Sequence, residues 1–125
     1  MTKILIVDHE VAVAEWIGVV LTHAGYSVLK ARSRSAAMEV FRRERPSIVL
    51  AEVCLEKERD GVYLAWEIDH EAPETRIIMM CEEYAPGIQA EAAKAKVTVF
   101  LTKPFSSTHL LLAVKEMLTA QPAFK

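Results

Sequence analysis

Acids and a lysine stand where short apolar runs of this chain stop. Asp8, His9 and Glu10 follow Ile4 to Val7, and Glu52 follows Ile48 to Ala51, with Cys54 two positions on. Cys81, Glu82 and Glu83 follow Ile77 to Met80, and Thr102 and Lys103 follow Val97 to Leu101. Carboxylates are hard oxygen ligands for a divalent cation, and a lysine is a compact point charge for a phosphoryl group. If the runs are parallel strands, residues just past their carboxyl ends share one sheet edge, where open α/β sheets bind ligands. Two carboxylates and a lysine converging there make a cation or phosphate site.

Other chemistries are less well served. The glycines stand isolated at 18, 25, 61 and 87, so no phosphate-cradling loop points to a nucleotide-binding enzyme. A small catalyst using Asp8, His9 and Lys103 lacks a visible nucleophile–base pair. Cys54 and Cys81 have no metal-ligand spacing. Both approach the same predicted edge, so a redox pair stands as a minor alternative to two free thiols. Asp8 alone also reads as a helix N-cap. His23, His70 and His109 have no evident partners and read as surface residues.

Positioning these groups requires alternating strands and helices. Ile4 to Val7 reads as a strand buried on both faces. From Glu10 to Ala24, Val13, Ile17, Val20, Leu21 and Ala24 recur at helical spacing before Gly25. Ser27 to Leu29 is a weaker strand. Ser35 to Arg43 is a helix with Ala37, Val40 and Phe41 inward, and Ile48 to Ala51 is the third strand. Asp60-Gly61 closes a charged loop and opens a helix carrying Val62, Leu64, Ala65 and Ile68. Ile77 to Met80, a short Ala-rich helix after Pro86-Gly87, Val97 to Leu101 and a helix over Ser107 to Met117 complete five βα units. Uninterrupted apolar strands between amphipathic helices imply an α/β fold: a doubly wound five-stranded parallel sheet covered on both faces. Right-handed crossovers favour the flavodoxin-like order 2-1-3-4-5.

At 125 residues and 52% hydrophobic, the chain can bury a core without metals or disulfides. The formal charge of −2 argues against nucleic-acid binding by bulk attraction. The longest uncharged stretch, Trp16 to Leu29, is too short and too polar to span a bilayer, and no signal peptide is apparent. The expectation is a cytoplasmic protein of one domain over residues 1–120 with a frayed tail over 121–125.

The segments Lys3-Ile-Leu-Ile-Val-Asp8, Ala24-Gly25-Tyr26, Pro46-Ser-Ile-Val-Leu50, Asp60-Gly61 and Leu101-Thr-Lys-Pro-Phe105 resemble, in order and spacing, the receiver domains of two-component response regulators. The resemblance covers nearly the whole chain and implies a non-enzymatic signalling module. It also implies that Asp8, Glu52 and the backbone carbonyl of Cys54 face a magnesium site, that Lys103 meets the phosphoryl group, and that Phe100 is the aromatic switch.

The departures fall on the chemistry itself. His9 replaces the second acid, Glu52 the phosphoacceptor aspartate, Cys81 the Ser/Thr, and Glu82 the small residue beside it. Magnesium demands oxygen ligands, so imidazole at position 9 predicts weak binding; His9 is read as a tolerated substitution, since no second histidine joins it. Glu52 adds a methylene, on the order of 1.5 Å, and a misplacement near ~1 Å costs about a hundredfold in rate. Its carboxylate is instead expected to pair with Lys103 and imitate part of a phosphorylated state. Cys81 is a poor donor. The expected function is a phosphorylation-impaired pseudo-receiver acting through a protein partner, a sensor kinase or a downstream signalling protein; a working phosphoacceptor in a phosphorelay is the alternative. With no DNA-binding module after the domain, direct transcriptional output is not expected. The first helix is apolar nearly all round, Glu15 being its one formal charge from Val11 to Ala24. Ala12, Val19 and Trp16 are expected to leave an apolar contact patch, with a homodimer as one outcome, and Trp66 falls where the family tends to be polar; overpacked local core is the equal alternative at both places.

Overall fold

In the computed structural model, residues 1–82 and 86–119 are described. Glu83 and the predicted tail over residues 121–125 lie outside them. Five strands alternate with five helices: β1 Lys3–Val7, α1 Val11–His23, β2 Ser27–Ala31, α2 Arg34–Glu44, β3 Ile48–Glu52, α3 Asp60–Glu71, β4 Arg76–Cys81, α4 Pro86–Ala93, β5 Val99–Thr102 and α5 Ser107–Thr119. The sheet is parallel throughout, in the order β2-β1-β3-β4-β5.

The apolar runs become the central strands because both faces of each are covered. β3 is buried along its whole length, and β1 and β4 along most of theirs. Leu5, Val7, Val49, Ala51 and Met79 face a core closed by α2 and α3, with Phe41, Leu64 and Ile68 at its centre. Ile4, Ile6, Leu50, Ile78 and Met80 face the opposite core with Ile17, Leu21, Leu110 and Val114. Alternate residues of one strand therefore serve two cores, which is why the runs carry no polar period.

Helix ends follow local chemistry. Ser33 Oγ accepts the Ala36 amide at the start of α2, and Ser106 Oγ accepts the His109 amide at the start of α5. Arg45 takes a left-handed conformation just ahead of Pro46, ending α2. On α1 the buried residues are Ala14, Ile17, Gly18 and Leu21; of the predicted inward set Ile17 and Leu21 are buried, Val13 and Val20 pack partly buried against the core, and Ala24 is exposed. Gly18 is inward because the aliphatic stem of Lys30 crosses it; a Cβ would stand 3.0 Å from Lys30 Cε.

The loop from β3 to α3 brings the backbone closest to the site. Gly61 N donates to Val53 O at 2.8 Å. A Cβ on Gly61 would lie 1.9 Å from the Glu52 carbonyl oxygen, so only glycine lets α3 start this near β3. The loop thereby fixes the backbone carrying Glu52.

Candidate functional site

Register places the chemistry-bearing residues together. β1 and β3 run side by side with Val7 opposite Ala51, so Asp8 and Glu52 emerge as neighbours. Lys103 follows β5, which lies two strands from β3, and reaches back beneath them. Asp8 is fully buried and Glu52 nearly so. Two buried carboxylates need partners, and each oxygen has one. Lys103 Nζ stands 2.9 Å from Asp8 Oδ2, 3.2 Å from Glu52 Oε1 and 3.5 Å from Glu10 Oε1. The other oxygens face away from the lysine: Asp8 Oδ1 accepts the Glu10 amide at 2.9 Å, and Glu52 Oε2 accepts the His9 amide at 3.1 Å. His9 Nδ1 lies 2.7 Å from that same Glu52 oxygen.

The electrostatics follow. Burial works against the Lys103 ammonium, but its hydrogen bond to Asp8 and the charges of Asp8 and Glu52 outweigh that and hold its pKa above the ordinary value. The hydrogen bond to Glu52 raises the His9 pKa, against a smaller effect of burial, and the charges of Glu52, Asp8 and Glu10 add to it. Burial pushes the Cys81 thiol up, opposed by a hydrogen bond with Thr102 and by the Lys103 charge.

The predicted residues Asp8, His9, Glu52 and Lys103 are thus brought into one contact network. Cys54, Cys81 and Phe100 line an adjoining cleft of about 390 Å³ that also touches His9 and Glu52. The cysteines are free thiols, Cys54 exposed and Cys81 half-buried. Phe100 is half-buried against the α2/α3 core. Two alternatives are decided. Asp8 is not the N-cap of α1; that position is Glu10, and Asp8 acts on it by accepting its amide hydrogen. At Trp66 the local-core alternative holds: it packs against the core, donates Nε1–H to Glu91 O at 2.8 Å and lies under Lys94. Sequence reasoning placed Glu10 at the edge but gave it no role. The tight turn after Asp8 swings it toward Lys103, and only its short offset from Asp8 hinted at this.

Beside the network a second cleft, about 710 Å³, lies between α1 and the segment Lys103-Pro104-Phe105 after β5, lined also by Trp16, Glu10 and Glu82. The Trp16 and Phe105 rings stand 5.8 Å apart and tilted. Val11 and Val19 are more than half exposed, and Trp16 is exposed at 41%.

An aspartate-lysine pair at the carboxyl edge of a 2-1-3-4-5 sheet defines a class, and the comparisons agree with it. The pattern of the response regulator receiver domain matches residues 4–115, and the chain belongs to that family. The transcriptional regulatory protein GlrR of Escherichia coli is 30% identical over 115 residues, 92% of this chain but 26% of its own length. The chain spans between about a quarter and a half of the curated relatives it matches. The receiver domain of NtrX from Brucella abortus superposes with a TM-score of 0.86 at 25% identity, covering 94% of this chain and 99% of that one. The chemotaxis protein CheY4 of Vibrio cholerae shares the fold, with a TM-score of 0.88 at 24% identity over 94% of this chain and 98% of that one.

Receiver domains are signalling modules that typically hold Mg²⁺ in an acidic pocket. One ligating atom from each of Asp8, His9, Glu10 and Glu52 falls within 4.8 Å of the others here. The carboxylates suit magnesium. The imidazole does not, and it occupies a position where magnesium would want oxygen. No helix among the described residues is long and apolar enough to cross a membrane.

Proposed function

We propose that this receiver domain is impaired in phosphoacceptance at Glu52 and signals through protein–protein contacts in one fixed state. The observation carrying this reading is that Glu52 is already engaged. Lys103 holds one of its oxygens and His9 the other. A receiver's lysine meets the phosphoryl group, whereas here it meets a permanent carboxylate. A two-state domain moves only by the differential affinity of whatever occupies its site, and a built-in carboxylate supplies part of that difference continuously. Magnesium, which supports phosphoryl transfer by neutralising charge, is held weakly because His9 offers nitrogen. Cytoplasmic location, a sensor kinase or downstream protein as partner, and contact or self-association through the apolar face of α1 belong to the same reading.

A second reading, a working phosphoacceptor, draws on Glu10. Its carboxylate joins Asp8 and Glu52 and restores acidity lost at His9. Incubation with acetyl phosphate and Mg²⁺, followed by intact mass, separates the two. An unchanged mass is expected, and one phosphoryl group on Glu52 at high occupancy would establish the second reading instead.

A further inference from the structure

The carboxylates around Lys103 have two sides. Asp8 Oδ2 and Glu52 Oε1 face the ammonium. Asp8 Oδ1 and Glu52 Oε2 face the opposite way, toward His9, whose Nδ1 lies 4.0 Å from the first and 2.7 Å from the second. An imidazole nitrogen is therefore aimed at the carboxylate oxygens that do not meet the lysine, each of which also accepts one backbone amide. Two ligands side by side on one ion, at bond lengths near ~2.0–2.1 Å, stand about 3 Å apart. The His9–Glu52 separation needs to open by only a few tenths of an ångström to admit an ion. The charges agree: Asp8, Glu10 and Glu52 against the single ammonium of Lys103 leave two formal negative charges, which one divalent cation neutralises. The way in is open, because the His9 side chain is 48% exposed and borders the cleft shared with Cys54 and Cys81.

We propose that this cluster is a site for a borderline first-row divalent cation of the Zn²⁺ or Co²⁺ kind, ligated by His9 and Glu52 with Asp8 or Glu10, and that it discriminates against Mg²⁺. The proposal rests on the reading above that magnesium is held weakly here. Magnesium dehydrates reluctantly and demands octahedral oxygen. Imidazole with carboxylate suits zinc, cobalt and their neighbours in the series. His9 is the selecting ligand, since the three carboxylates alone would suit either class of ion. Lys103 need not leave, because it holds the other oxygen of each buried carboxylate.

The test is calorimetric titration of the full, chelator-treated chain with Zn²⁺, Co²⁺ and Mg²⁺, with visible absorption recorded for Co²⁺. Zn²⁺ and Co²⁺ are expected to saturate at a single equivalent and more tightly than Mg²⁺, with a Co²⁺ band in the visible. His9→Asp should weaken Co²⁺ and strengthen Mg²⁺, reversing or closing that gap. His9→Gln should lose the band, while the double variant Cys54→Ser, Cys81→Ser should keep it. Equal affinity for Mg²⁺ and Zn²⁺ in the wild type overturns the proposal. So does a band that survives His9→Gln, or one that disappears with the thiols. The acetyl phosphate experiment reports separately on the impaired-receiver reading: a phosphoryl adduct on Glu52 removes that reading and leaves the ion preference to the titrations.

Discussion

Glu52 Oε1 accepts a hydrogen bond from Lys103 Nζ at 3.2 Å, an ion pair in which both side chains are at most one-tenth exposed. The pair joins β3 to the segment after β5, and Phe100 lies on β5, packed partly buried against the core under α2 and α3. Glu52→Gln keeps the size and removes the charge, leaving Lys103 with Asp8 and Glu10. The expected result is a loss of about 1 kcal/mol in urea unfolding together with altered Phe100 ring resonances and weaker partner binding. If none of the three moves, the pair has no regulatory role and Glu52 is only a lost phosphosite.

Gly61→Ala tests the loop that carries Glu52. The added Cβ meets the Glu52 carbonyl oxygen, a backbone atom that cannot swing aside as a side chain would. Either α3 retreats or β3 shifts. Overpacking of this kind costs about 1–3 kcal/mol, read as a lower Tm with altered amide resonances at Glu52 and Val53. A variant as stable as wild type would show that the close approach is not required.

Val19→Glu addresses the open face of α1. Val19 is 56% exposed, so the change should leave stability within about 0.5 kcal/mol. Covering such a surface is favourable by roughly 25 cal/mol per Å². Wild type is expected to self-associate at high concentration in sedimentation velocity and the variant to stay monomeric. Monomeric wild type, with partner binding untouched by Val19→Glu, would make the face a local feature of packing.

The sheet order and all ten elements were legible because burial on both faces leaves an unmistakable mark: apolar runs at β1, β3 and β4 with amphipathic helices between them. The cluster of Asp8, Glu52 and Lys103 was legible for the same reason, since strand ends converge whatever the loops do. What the sequence hid depends on side-chain reach. Glu10 turns back to Lys103 through a bend that its residue type does not encode. Whether Trp66 stood open or packed was undecided by its place on α3; it bonds to Glu91 on α4, and the two helices are tied by Arg59, the N-cap of α3, to Glu91 and by Asp69 to Lys96 just past α4, contacts between residues far apart in the chain. His9 read as a tolerated substitution because no second histidine is placed to join it, and spacing alone does not show that its Nδ1 meets Glu52 Oε2.

His9 also makes stability depend on pH in a defined direction. Its folded pKa is raised above the ordinary 6.5, first by the hydrogen bond to Glu52 and then by the charges of Glu52, Asp8 and Glu10. A group with a raised folded pKa binds its proton more tightly when the chain is folded. Its contribution is therefore fully present below the unfolded value and is lost as pH rises through the folded one. The comparison is urea unfolding of wild type and His9→Gln across about pH 5 to 9, the range in which imidazoles titrate. His23, His70 and His109 are exposed and present in both proteins, so their effects cancel in the difference. Wild type should hold its largest advantage at the acid end and lose it progressively above pH 6.5. Because His9 is half exposed, added salt should shrink the advantage without reversing its sign. A flat difference, or one that grows with pH, would mean that the contact with Glu52 does not make the folded chain hold the imidazole proton more tightly.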